Sequence, residues 1–132
     1  MATIRTPLGR ARGLGAAKHG VGHFISQRIT AVALVALTLW GAAAAISLEN
    51  GSYQSAAQWL QSPVNAALAS LLVVAGFWHM QLGMRTIIED YFATPFAKGA
   101  LLVANLFVCW LGGAIGVLSI LKVAFSGGST VV

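Results

Sequence analysis

Three stretches of the chain carry no Asp, Glu, Lys or Arg: Ile29 to Leu48, Val64 to Met84 and Gly99 to Leu121, of 20, 21 and 23 residues. About 20 residues at 1.5 Å rise cross roughly 30 Å of hydrocarbon, and only helices or closed barrels satisfy every backbone group there. Three continuous apolar runs cannot close a barrel. The pattern predicts an all-α membrane protein with three transmembrane helices, spanning residues 29–48, 64–88 and 99–121. It divides the chain into a basic N-terminal tail (1–28), a three-helix transmembrane anchor (29–122) and a short C-terminal tail (123–132).

The connections carry weaker signals. Tyr53 to Gln61 sets Trp59 and Leu60 among small and polar residues, which predicts a short interfacial helix. Pro95 breaks the second connection, and Ser126-Gly127-Gly128-Ser129-Thr130 reads as a frayed tail. Trp40, Tyr53, Trp59, Tyr91 and Phe92 fall at or near span boundaries, where a ring can be apolar on one side and wet on the other. Gly112 with Gly116, and Gly41 with Ala45, form small-xxx-small pairs that let helices approach closely.

Composition agrees with the pattern and excludes a soluble enzyme. Of the 132 residues 58% are hydrophobic and 8% charged, so there are too few charges to clothe a globule in water. The single cysteine, Cys109, can form neither an internal disulfide nor a multi-cysteine metal site. The net charge of +5 does not point to nucleic acid, because Arg5, Arg10, Arg12 and Lys18 are gathered in the tail. Glu49 to Pro63 contains no Lys or Arg, whereas the Arg85 to Lys98 connection holds two. That asymmetry predicts a cytoplasmic N-terminus and second connection, with the first connection and the C-terminus periplasmic; Lys122 is a mild exception. The Arg-rich, acid-free tail is also like an organellar transit peptide, but is read as retained, which favours a bacterial inner membrane over a mitochondrial one.

One histidine, His79, lies inside a span. An imidazole at that depth costs free energy unless its nitrogens are satisfied, either by a neighbouring helix or by a metal, cavity or ligand. Successive helical residues turn through about 100°, which places Gly83 about 40° from His79, Thr86 about −20° and Asp90 about 20°. These residues form one stripe, with Asp90 roughly 16 Å along the axis from His79. Gly83 removes a side chain where a large planar ligand would press on the helix. The stripe suits a haem iron at His79, with an aqueous-facing site one layer nearer the surface.

The run His79-Met80-Gln81-Leu82-Gly83-Met84-Arg85-Thr86-Ile87-Ile88-Glu89-Asp90-Tyr91 resembles the H-x3-G-x6-D-Y motif of the small hydrophobic membrane anchor of succinate dehydrogenase, respiratory complex II. Gly20-Val21-Gly22-His23-Phe24-Ile25-Ser26-Gln27-Arg28-Ile29-Thr30-Ala31 is similar to the segment leading into that family's first helix, with its glycine, aromatic and Arg-x-Thr-Ala pattern. The resemblance covers residues 14–124. It implies that His79 is an axial ligand of haem b, that Tyr91 donates its hydroxyl to a ubiquinone carbonyl, and that Asp90 supports proton delivery. Arg28, which by position alone snorkels to headgroups, becomes a candidate haem-propionate contact together with His23.

A single histidine within the spans cannot complete a bis-histidine haem, so a second ligand must come from another polypeptide. Without a flavin fingerprint or a cysteine cluster, dicarboxylate oxidation also belongs elsewhere. The resemblance implies three protein partners: a flavoprotein, an iron-sulfur protein and a second haem-binding anchor, all assembled among membrane lipids. Two other readings stand beside it. One is a non-redox scaffold whose His79 only hydrogen-bonds a neighbouring helix. The other, a proton-coupled transporter, is disfavoured because no Asp or Glu lies inside any predicted span.

Overall fold

The computed structural model describes residues 6–8 and 20–126. Four helices account for nearly all of the second segment: α1 (Gly20–Leu48), α2 (Tyr53–Gln61), α3 (Pro63–Tyr91) and α4 (Pro95–Phe125). Among the described residues there is no strand. The basic cluster Arg5, Arg10, Arg12 and Lys18, with His19, lies outside the described residues, as does the chain beyond Ser126.

Three of these helices are long and apolar enough to cross a membrane: Val21–Leu48, Pro63–Tyr91 and Pro95–Phe125, of 28, 29 and 31 residues. Each runs past its charge-free stretch at one or both ends. Helical hydrogen bonding does not stop at the first charged side chain, because a long Arg or Lys reaches outward while its backbone stays in the helix. At 1.5 Å per residue each helix exceeds the roughly 30 Å of hydrocarbon, so the ends protrude or the helix tilts.

Proline sets two of the starts. Pro63 and Pro95 occupy the first turns of α3 and α4, where a missing N–H costs nothing. Pro95 therefore opens α4 as well as ending the connection. The short helix α2 has the boundaries its sequence pattern gives, and the Ser52 hydroxyl caps it by accepting from the Ser55 N–H at 3.3 Å. Trp59 of α2 stacks on Trp40 of α1 with ring centroids 5.5 Å apart. Asn65 Nδ2 donates to the Trp59 carbonyl at 2.9 Å, tying the end of α2 to the start of α3.

Helix α3 is central. It packs on α1 along one side and α4 along the other, while α1 and α4 make at most marginal contact with each other. Only 11% of the most apolar 18-residue stretch of each long helix is buried. Most of the apolar surface must therefore face lipid or other polypeptides. The glycine pair of α4 is used inside the chain: a Cβ on Gly112 would lie 2.5 Å from Phe77 Cε1, and one on Gly116 would lie 2.8 Å from Val73 Cγ1.

Candidate functional site

The residues that could do chemistry gather on the seam between α1 and α3. Taking Thr30 as zero, His23, Gln27, Leu34, Leu37 and Gly41 all fall within about 60° of it around α1. On α3, Leu72, Gly76, Gly83 and Thr86 fall within a similar arc about His79. The outer half of this seam is apolar, with Leu72 against Gly41 and Leu34 against Gly76. The half nearer Arg28 and Asp90 is polar.

His79 is half-buried and meets α1 through one nitrogen. Its Nδ1 lies 3.0 Å from Oγ1 of Thr30, a residue only 7% exposed. The same hydroxyl lies 2.8 Å from the Ser26 carbonyl and 3.1 Å from that of Gln27. His79 Nε2 has no hydrogen-bond partner among the described residues and is not among the fully buried atoms. One turn further along α3, a Cβ on Gly83 would meet only the Gln27 amide nitrogen, at 3.6 Å. Gln27 Oε1 and His23 Nε2 are buried without a partner.

This arrangement fits a haem. One imidazole nitrogen is anchored and the other is open, Gly83 follows one turn along the same stripe with no side chain, and two orphaned polar atoms stand on the facing helix. Among the described residues no group of three or more His, Cys, Asp or Glu could hold a metal ion, so a haem iron here would take at most one ligand, His79, from them. Sequence reasoning found His79, Gly83 and His23. It placed Thr30 and Gln27 only within the segment leading into the first helix and gave them no role; they lie one helical turn apart on the face that carries His23.

The remaining candidates lie apart from His79. Arg28 is exposed, stands about 160° around α1 from Thr30, and lays its guanidinium over the Phe24 ring 5.1 Å from the centroid. Asp90 and Tyr91 end α3 at the surface, with Tyr91 82% exposed and neither side chain hydrogen-bonded within the described residues. Beside them Arg85 Nε donates to Glu89 Oε1 at 2.8 Å, the i, i+4 pair the sequence suggests. Lys98 Nζ of α4 donates to the Glu89 carbonyl at 2.8 Å, which satisfies one of the open carbonyls in the last turn of α3.

The model of the succinate dehydrogenase/fumarate reductase transmembrane subunit family matches residues 2–113. The chain belongs to that family. Among its relatives, the succinate dehydrogenase hydrophobic membrane anchor subunit of Rickettsia bellii (strain RML369-C) is 31% identical over 101 residues, covering 76% of this chain and 81% of that protein. The subunit of the same name from Paracoccus denitrificans is 33% identical over 105 residues, covering 77% and 79%. That of Rickettsia conorii (strain ATCC VR-613 / Malish 7) is 29% identical over 101 residues, covering 76% and 80%. No solved structure matches the chain significantly. For a succinate dehydrogenase transmembrane subunit, a polar seam with one open imidazole and an exposed acidic-phenolic end is a chemically specific layout.

Proposed function

We propose that the chain is a hydrophobic membrane anchor of succinate:ubiquinone oxidoreductase that shares haem b with a second anchor subunit and contributes to ubiquinone reduction. The observation that carries this reading is His79, held through Nδ1 with Nε2 free, on the same helical stripe as Gly83. Haem bound there supplies a one-electron relay within the membrane. A second ligand would come from the partner anchor. Gln27 and His23 line the same seam, and Arg28 meets a propionate only by turning off Phe24.

Quinone reduction consumes two electrons and two protons, so its site needs hydrogen-bond donors and a wet approach. Tyr91 has both, since its neutral phenol donates without placing a charge beside an apolar ring, and it lies at the surface. Asp90 next to it holds and passes protons. Flavoprotein and iron-sulfur subunits dock on this end, which the basic residues assign to the cytoplasm of a bacterial inner membrane.

A second reading has its own observation. His79 is already hydrogen-bonded by a neighbouring helix, which is what a purely structural histidine in a non-redox scaffold would do. A dithionite-reduced minus oxidised spectrum of the purified complex decides between them. The redox anchor requires a b-type signal in wild type that is lost or shifted in His79→Ala. An unchanged signal moves the haem to other ligands, and no signal in either leaves the scaffold.

A further inference from the structure

We infer that Thr30 is a positioning residue that fixes the tautomer of His79 and, resting on the haem reading above, lowers the reduction potential of the haem that His79 holds. The hydrogens around Thr30 can be counted. Its hydroxyl has one hydrogen and three polar neighbours: the Ser26 carbonyl at 2.8 Å, His79 Nδ1 at 3.0 Å and the Gln27 carbonyl at 3.1 Å. Both carbonyls only accept. If the hydroxyl gave its hydrogen to Nδ1, two carbonyl oxygens would face its lone pairs at hydrogen-bonding distance with no hydrogen between them. If it gives the hydrogen to Ser26 in the usual i−4 manner, that repulsion is relieved and Nδ1 must carry the hydrogen that completes the third contact.

The consequence falls on the other nitrogen. A neutral imidazole protonated at Nδ1 has its lone pair on Nε2, the atom left without a partner here. Thr30 thus holds the ring in the one neutral form able to ligate through Nε2, and it holds the ring's rotation as well. An acceptor on Nδ1–H also draws that proton outward, making Nε2 a more basic donor and favouring the oxidised metal. Burial strengthens the effect, since Thr30 is 7% exposed and water does not compete for the contact.

Nothing in the local structure of α1 requires the hydroxyl. A threonine costs helix propensity in a helix interior, and valine has nearly its shape without the polar atom. That makes the test clean. The complex is purified with wild-type chain, Thr30→Val and Thr30→Ser, and the haem α-band is titrated potentiometrically alongside the haem-to-flavin ratio. Thr30→Val is expected to raise the midpoint potential, and Thr30→Ser to return it to the wild-type value. Should the valine variant not assemble, Thr30→Cys, similar in size but with a weak acceptor, is expected to shift the potential in the same direction by less. Equal potentials in wild type and the substituted chains overturn the role of Thr30 while leaving His79 a ligand. A wild-type complex without a haem band overturns the redox reading and this inference with it.

Discussion

The two flanks of α3 solve opposite problems. Against α4 the helix is held by glycine notches and an amide: Phe77 and Val73 fill the notches at Gly112 and Gly116, and Asn105 spends its amide on the Gln81 carbonyl at 3.0 Å while accepting from Cys109 at 3.4 Å, beside an apolar cavity of about 300 Å³. Against α1 the same helix leaves polar atoms open, with His79 Nε2, Gln27 Oε1 and His23 Nε2 all lacking partners among the described residues. Glycine occurs on both flanks with different uses. At Gly112 it admits a neighbouring ring of the same chain, whereas at Gly83 it leaves room that the chain does not fill. One flank is set mainly by shape, with Ser70 Oγ its one buried hydroxyl lacking a partner among the described residues, and the other gathers the open ring nitrogen and the two open polar atoms facing it.

Changing the glycines tests that division most severely. Gly112→Leu is expected to abolish assembly of the complex, because its side chain would occupy the space of the Phe77 ring. The milder Gly112→Ala should cost about 1–3 kcal/mol, read as a lower thermal midpoint with haem retained. Gly83→Ala should do the reverse: its Cβ makes an ordinary contact with Gln27, so assembly persists while the haem-to-flavin ratio falls. If both substitutions affect only stability, the two flanks are not different in kind. At the end of α3, Tyr91→Phe should slow quinone reduction about tenfold, the equivalent of one hydrogen bond of about 1.4 kcal/mol, and leave the haem spectrum unchanged. The smallest effect belongs to Glu89→Gln, which removes the exposed pair with Arg85 and should alter stability by no more than about 0.5 kcal/mol in a thermal melt.

Much of this was legible from residue order. Charge-free runs located three helices because lipid tolerates few unpaired charges, and the turn of about 100° per residue put His79, Gly83, Thr86 and Asp90 on one stripe. The apolar and polar residues around Trp59 marked α2 between its actual ends. What the pattern could not carry was which stripe meets which. Thr30 stood in the Arg-x-Thr-Ala pattern, but a back-bonded threonine has no charge or periodicity to say what it touches, and its partner is 49 residues away. Likewise Gly112 and Gly116 signalled a close approach without saying whether the visitor came from this chain, where Phe77 supplies it, or from another.

The central place of α3 has a consequence for how the protein is made. During synthesis α1 is made first, with the Thr30 hydroxyl bonded only to carbonyls of its own helix and His23 and Gln27 on the same face, before any other helix can cover them. Because α1 and α4 barely touch, nothing later in the chain except α3 can cover that face. The nascent subunit therefore passes through an interval in which its polar stripe is open to lipid, or to whatever chaperone or partner reaches it first. That interval ends only when His79 has been inserted, so the ribosome's progress through α3 times the moment at which the chain becomes competent to receive a cofactor.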